Sequence, residues 1–206
     1  MTRIAMLLAY SLVLMSVVDA QRPRLWDVIQ GHDRTAGALE VSVSPMYPSR
    51  SVSDLVGEAD LVIRGHVLEG RPVLSEDESQ IVTVSRVRVN EVLAGPSAAL
   101  LIISPLGKDL LIRQVGGELD LGGTKVRMKD TSLRVLRPNE EVVLFLLKVP
   151  NEDAFEIAYG PFGAFEVQDG RLGVTSDAAM EAHQELAGKG LEALRSRIQA
   201  VLNRQP

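Results

Sequence analysis

The sequence predicts a mainly β (α+β) fold, a β-barrel of about five to seven strands with a short N-terminal helix and a C-terminal amphipathic helix. Three observations carry this prediction. Apolar or alternating segments of strand length recur between Asp60 and Val174. Asp169-Gly170 supplies the two-residue turn of a tight hairpin between two of them. Beyond that hairpin, Leu191, Leu194, Ile198 and Val201 repeat at helical spacing along one face.

The chain opens MTRIAMLLAYSLVLMSVVDAQ. A single positive charge at Arg3, an apolar run from Ile4 to Val18 and the small residue Ala20 form the pattern of a secretory signal peptide, residues 1–20. The run is shorter than the roughly 20 apolar residues that a membrane-spanning helix needs. No later segment is apolar enough to span, so no stable membrane insertion is expected after cleavage. The exported protein, periplasmic or extracellular, should begin at Gln21, which intact-mass measurement of the secreted form checks.

Charge and cysteine content narrow the function classes. The net charge is −5, and the paired loss of Arg3 and Asp19 leaves it unchanged after cleavage. That sign disfavours a nucleic-acid partner, which calls for a basic face. With no cysteine, neither a disulfide framework nor thiolate chemistry is available. The apolar core must hold an exported fold unaided.

Residues 21–50 carry three prolines and no sustained period, and are expected to form a loosely ordered arm. The barrel is expected over residues 51–175. Ser51 and Ser53 introduce SDLVGEAD, where Leu55 and Ala59 share a helical face. A strand follows from Asp60, with Leu61, Ile63, Gly65 and Val67 on one side and Arg64 and His66 on the other. The loop RPVLSEDES then leads to a second strand, Gln80 to Leu93. Here Val82 and Val84 lie out of phase with Val87 and Val89, and the switch predicts a bulge near Ser85. Leu100 to Ser104 reads as a short strand stopped by Pro105. From Gly107 to Pro138 the pattern weakens into paired glycines and mixed charge, predicting loops and irregular edges. Glu140 to Val149 is nearly continuous apolar sequence, the expectation for a strand buried on both sides. FEIAYG and AFEVQDGRLGV complete the sheet. Ser176 or Asp177 would cap the helical segment of residues 176–206, interrupted at Gly188 and Gly190.

The series ADLVIRGHVLEG, TVSRVRVNEVLAG, NEEVVLFLLK and GPFGAFEVQDGRL, within residues 52–170, is similar to exported bacterial domains of unknown function. More distantly it resembles the netrin-like modules that include the tissue inhibitors of metalloproteinases. The resemblance implies an OB-like β-barrel with a bent first strand. It does not carry the inhibitors' mechanism, because their zinc-chelating N-terminal cysteine has no counterpart here, and a fold alone does not fix a function.

The search for chemistry finds little. His32, His66 and His183 are isolated from one another and lack the paired spacing of zinc ligands. No Gly-x-Ser-x-Gly elbow is present, and Asp130-Thr131-Ser132 is single and lacks the glycine turn of an aspartic dyad. Gly117 and Gly122 have phosphate-loop separation, but Gly123-Thr124-Lys125 departs from the required lysine and hydroxyl order, so these glycines read as turns. The acidic run Glu76, Asp77, Glu78 lacks the spaced ligands of a calcium loop. No catalytic residue, cofactor or metal is therefore expected. The candidate interaction patch is Phe155, Tyr159, Phe162 and Phe165, where Pro161 would push a ring outward, weighed against the same rings packing in the core. The expected function is a non-enzymatic binding module with a protein or carbohydrate partner. Inhibition of a secreted protease is the first alternative, and a hydrolase site assembled only in space is the second.

Overall fold

The computed structural model describes residues 23–30, 38–48, 50–95, 109–174 and 185–204. The signal-peptide segment, His32, His183, the strand expected at Leu100–Ser104 and the caps expected at Ser176 or Asp177 lie outside the described residues. Three helices appear in the described chain: α1 (Leu25–Gln30), α2 (Val52–Glu58) and α3 (Leu191–Leu202). The strands are β1 (Leu39–Val43), β2 (Leu61–Leu74), β3 (Ile81–Ala94), β4 (Asp109–Val115), β5 (Gly117–Leu121), β6 (Thr124–Asp130), β7 (Glu141–Lys148), β8 (Phe155–Ile157), β9 (Ala164–Gln168) and β10 (Arg171–Val174). Among the described residues no helix is long and apolar enough to cross a membrane.

The fold is mainly β and barrel-like. A seven-stranded sheet runs β10-β9-β7-β2-β3-β4-β8, and β8 also pairs with β7, so that β2, β3, β4, β8 and β7 form a partly closed ring. Within the ring only β4 and β8 are parallel. This is the arrangement of a small OB-like barrel. A second sheet, β1-β6-β5, sits beside it.

Strand β7 is the centre of the fold, as its sequence predicts. Val142, Leu144 and Leu146 face the barrel interior with Leu61, Ile63, Val67, Val87 and Ile112. Val143 and Phe145 face the opposite way, into a layer covered by α2 and α3. Both faces are dry, so the strand can be apolar at every position from Val142 to Leu146.

Both covering helices have local reasons to form. Ser51 caps α2, its hydroxyl accepting from Asp54 N at 3.2 Å while the Asp54 carboxylate accepts from Ser51 N at 3.0 Å. This reciprocal box satisfies backbone donors that the helix leaves open. Helix α3 follows its N-cap Gly190 and buries Leu191, Leu194 and Ile198, while Val201 is half-buried. Arg195 also meets the sheet through a bidentate pair to Glu91 of β3, at 2.9 and 2.6 Å. The β9–β10 turn has Asp169 at φ 50° and Gly170 at φ 73°, the left-handed pair that a tight hairpin requires.

Three expectations are corrected. Residues 21–50 do not form a loose arm throughout. Leu25 and Ile29 of α1 are buried, and β1 pairs in parallel with β6, Leu39 opposite Val126 through Val43 opposite Asp130. The stretch from Gly107 to Pro138 holds β4, β5 and β6, regular strands whose mixed charges are cross-strand partners. Arg127, for example, bonds Glu118 at 2.7 Å and Glu40 at 3.2 Å. The two glycines Gly122 and Gly123, both at positive φ, form the β5–β6 turn.

The third correction concerns β3. The strand does not switch phase at Ser85. Ile81, Thr83, Ser85, Val87 and Val89 all point inward, with the Thr83 hydroxyl donating to the Gly116 carbonyl at 2.6 Å. The bulge lies on β2 instead, where Leu68 is the extra residue between the pairs Val67–Val87 and Glu69–Arg86. Two further irregularities place the extra residues Asn90 and Leu93 on β3. Bulges on both strands let the long β2–β3 ribbon curl around the barrel. Val82 and Val84 therefore sit on the outside, and something other than the core accounts for them.

Candidate functional site

The outward face at Val82 and Val84 is the floor of a groove of about 770 Å³. Cross-strand pairing sets Val73 of β2 beside Val82 and Arg113 of β4 beside Val84, and Leu111 extends the floor along β4. Val82 is only 5% exposed although it points away from the barrel, whereas Leu111 is 41% exposed. One wall is the β2–β3 turn with Glu76 and Asp77. The other is the β7–β8 turn with Glu152, Asp153 and Ala154. In an OB barrel the face of the second and third strands, bounded by these two loops, is the ligand surface.

Both turns are held in defined shapes. Asp77 accepts from the Ser75 hydroxyl at 2.6 Å, the Ser79 hydroxyl at 2.7 Å and Ser79 N at 3.1 Å. Those hydrogen bonds, the two hydroxyls first, lower its carboxyl to about 2. On the opposite wall Arg113 donates to Glu152, tying β4 to the β7–β8 turn, and Lys148 bonds Asp153 at 3.2 Å. Asp77 is thus fixed as an anion far from neutrality, the reverse of a general base poised near the working pH.

The Asp77 turn makes a pH prediction. An aspartate in an unfolded chain titrates near about 3.9. Because the folded value is lower, the stabilisation is present above the unfolded value and is lost as pH falls through the folded one. Thermal melts should show Asp77→Asn less stable than the parent at pH 7, with the gap closing between about pH 4 and 2. A gap independent of pH would show that the turn does not depend on the charged carboxylate.

The candidate aromatic patch is not one surface. Phe165 is fully buried, edge-to-face with Phe145 at 6.1 Å between ring centroids, and Phe162 is 2% exposed. Pro161 does not push Phe162 outward. It opens a 3-10 turn, Gly160–Gly163, that folds the ring into the layer beneath α2 and α3. Tyr159 and Phe155 are half-buried and separately engaged. Tyr159 donates to Glu58 and lies under the Arg50 guanidinium, while Lys148 sits 4.8 Å from the Phe155 ring centroid.

His66 shares the outer face with Arg64, as the alternation predicts, because no extra residue intervenes on β2 before Leu68. Its cross-strand neighbours are Arg88 and Glu141, and Glu141 already bonds Arg64 at 2.6 Å. Among the described residues no three histidines, aspartates or glutamates converge as a metal site would require.

Sequence reasoning missed the groove, yet a signal was present. Val82 and Val84 alternate against the inward phase of Val87 and Val89, and an apolar pair on the wrong face marks a surface that needs covering. No family model matches the chain.

Proposed function

We propose that this protein is an exported, non-enzymatic binding module that engages its partner through the groove over β3 and β4. The observation that supports this reading is the aliphatic floor outside the barrel, walled by two pinned turns, in which Val73, Val84 and Leu111 keep surface in water while Val82 beneath them is already covered. Apolar surface in a concavity lowers free energy when a partner removes it from water, and rigid walls reduce the ordering cost of binding. The residues that hold these walls spend their hydrogen bonds on the turns themselves, which suits recognition better than proton transfer.

Photocrosslinking tests the reading. Benzoylphenylalanine placed at Leu111 should capture a discrete partner from the exported fraction. The same group at exposed Gln168, on β9, should not, and Val84→Glu should abolish capture at Leu111 without lowering the melting temperature. Equal capture from both positions, or capture that survives Val84→Glu, would remove the groove from the function.

A further inference from the structure

We infer that the groove takes an extended polypeptide segment in which apolar side chains are followed by lysine or arginine. The inference rests on the binding-module reading above and adds the chemistry of the ligand.

The floor selects first. Apart from Arg113, its side chains are valine and leucine, and among the described residues no aromatic ring lines the groove. Sugars and nucleobases are held largely by stacking on aromatic rings, which this site does not offer. The side chains of an extended peptide, two residues apart on one face, match a floor built from neighbouring strands.

The walls select next. Four carboxylates border the groove: Glu76, Asp77, Glu152 and Asp153. Glu152 is balanced by Arg113 and Asp153 by Lys148. Among the described residues the two on the β2–β3 turn have no such partner, the nearby Arg24 pairing with Glu78 at 3.8 Å. The partners of Asp77 are neutral hydroxyls and an amide, so its charge persists, and Glu76 stands exposed beside it. The groove therefore has an apolar floor with an anionic end at the Glu76–Asp77 turn, while Arg71, exposed across from Val84 on β2, leaves a cation toward the other end. Further along the same outer face, Arg86 is neutralised by Glu69 and Asp109, at 3.0 Å each, and Arg88 by Asp109 at 3.2 Å. A cation is favoured at the Glu76 end, and a phosphate backbone is repelled there.

Fluorescence anisotropy with the purified chain tests this on three labelled peptides: Gly-Val-Leu-Val-Lys-Lys, Gly-Val-Leu-Val-Glu-Glu and Gly-Ser-Gly-Ser-Lys-Lys. The first should bind at least about tenfold tighter than either of the others, and weaken as salt is raised. Glu76→Gln, which leaves the hydrogen bonds of Asp77 in place, should erase most of the preference for lysine over glutamate. Leu111→Ser should weaken the first peptide about tenfold with an unchanged melting temperature. Equal binding of the lysine and glutamate peptides, a preference that survives Glu76→Gln, or displacement of the first peptide by chitohexaose would overturn the ligand class. If Leu111 crosslinking still captures a groove-dependent partner, only the ligand class falls. If crosslinking fails as well, the binding reading falls with it.

Discussion

Gly65→Val is expected to destabilise the protein by about 3 kcal/mol or more, at the upper end of the usual cost of over-packing. Gly65 is buried at mid-strand, where β2 and β3 slip register between the pairs Arg64–Glu91 and Gly65–Val89. A Cβ there would lie 2.7 Å from the Arg88 carbonyl oxygen and 2.7 Å from Val87 Cγ1. The first contact is backbone and the second belongs to a fully buried side chain, so neither can yield without moving the ribbon. The neighbouring variant His66→Gln should change stability by no more than about 0.5 kcal/mol, because its side chain occupies the outer face. Parallel denaturant unfolding of the two variants separates these outcomes. A tolerated Gly65→Val would mean that the bulge is plastic, and loss of binding in a stable His66→Gln protein would reveal a site on this strand.

Leu194→Ala is expected to cost about 2–5 kcal/mol, since both apolar transfer and a cavity contribute where collapse is restricted. Leu194 is fully buried, in a layer shared by α2, α3 and the outer faces of β2, β7 and β9. The same core cluster holds the fully buried Leu55, Phe145 and Phe165. The Arg195–Glu91 pair alone would not hold α3 in place of that packing, because both side chains are one-third exposed and pairs of this kind contribute little. An unchanged denaturant midpoint would show that the helix leaves the barrel at little cost.

The elements that sequence reasoning located are those whose cause is local. The apolar run of β7, the Asp169-Gly170 turn, the Ser51 cap and the four-residue stripe of α3 each state their environment within one window. The missed strands have non-local causes. In β6, Lys125, Arg127 and Lys129 alternate with Val126 and Met128, a half-buried pattern. Their charges read as loop chemistry only while Glu40 and Glu118, the cross-strand partners, are unplaced. Strand β1 is too short to stand alone and is defined by parallel pairing to that same strand. The groove was least legible of all, because its floor and walls come from four separate segments. The two valines that betray it mimic a break in β3, whereas the extra residue there is Leu68 of β2.

The topology also sets an order of assembly. Strands β2 and β3 are neighbours in the chain and can pair early, across a single turn. Strand β7 must wait, since its register joins residues as distant as Leu61 and Leu146. Long-range pairing of this kind slows folding, because the loop-closure entropy is lost before the contacts that offset it are made. During that interval the most apolar segment of the described chain is exposed to other copies of itself, the condition under which strands aggregate. Glu140 and Glu141 precede the run and Lys148 ends it. Charges in these flanking positions oppose stacking of unpaired strands. Their contribution would appear in the yield of refolding at high protein concentration rather than in the stability of the finished barrel.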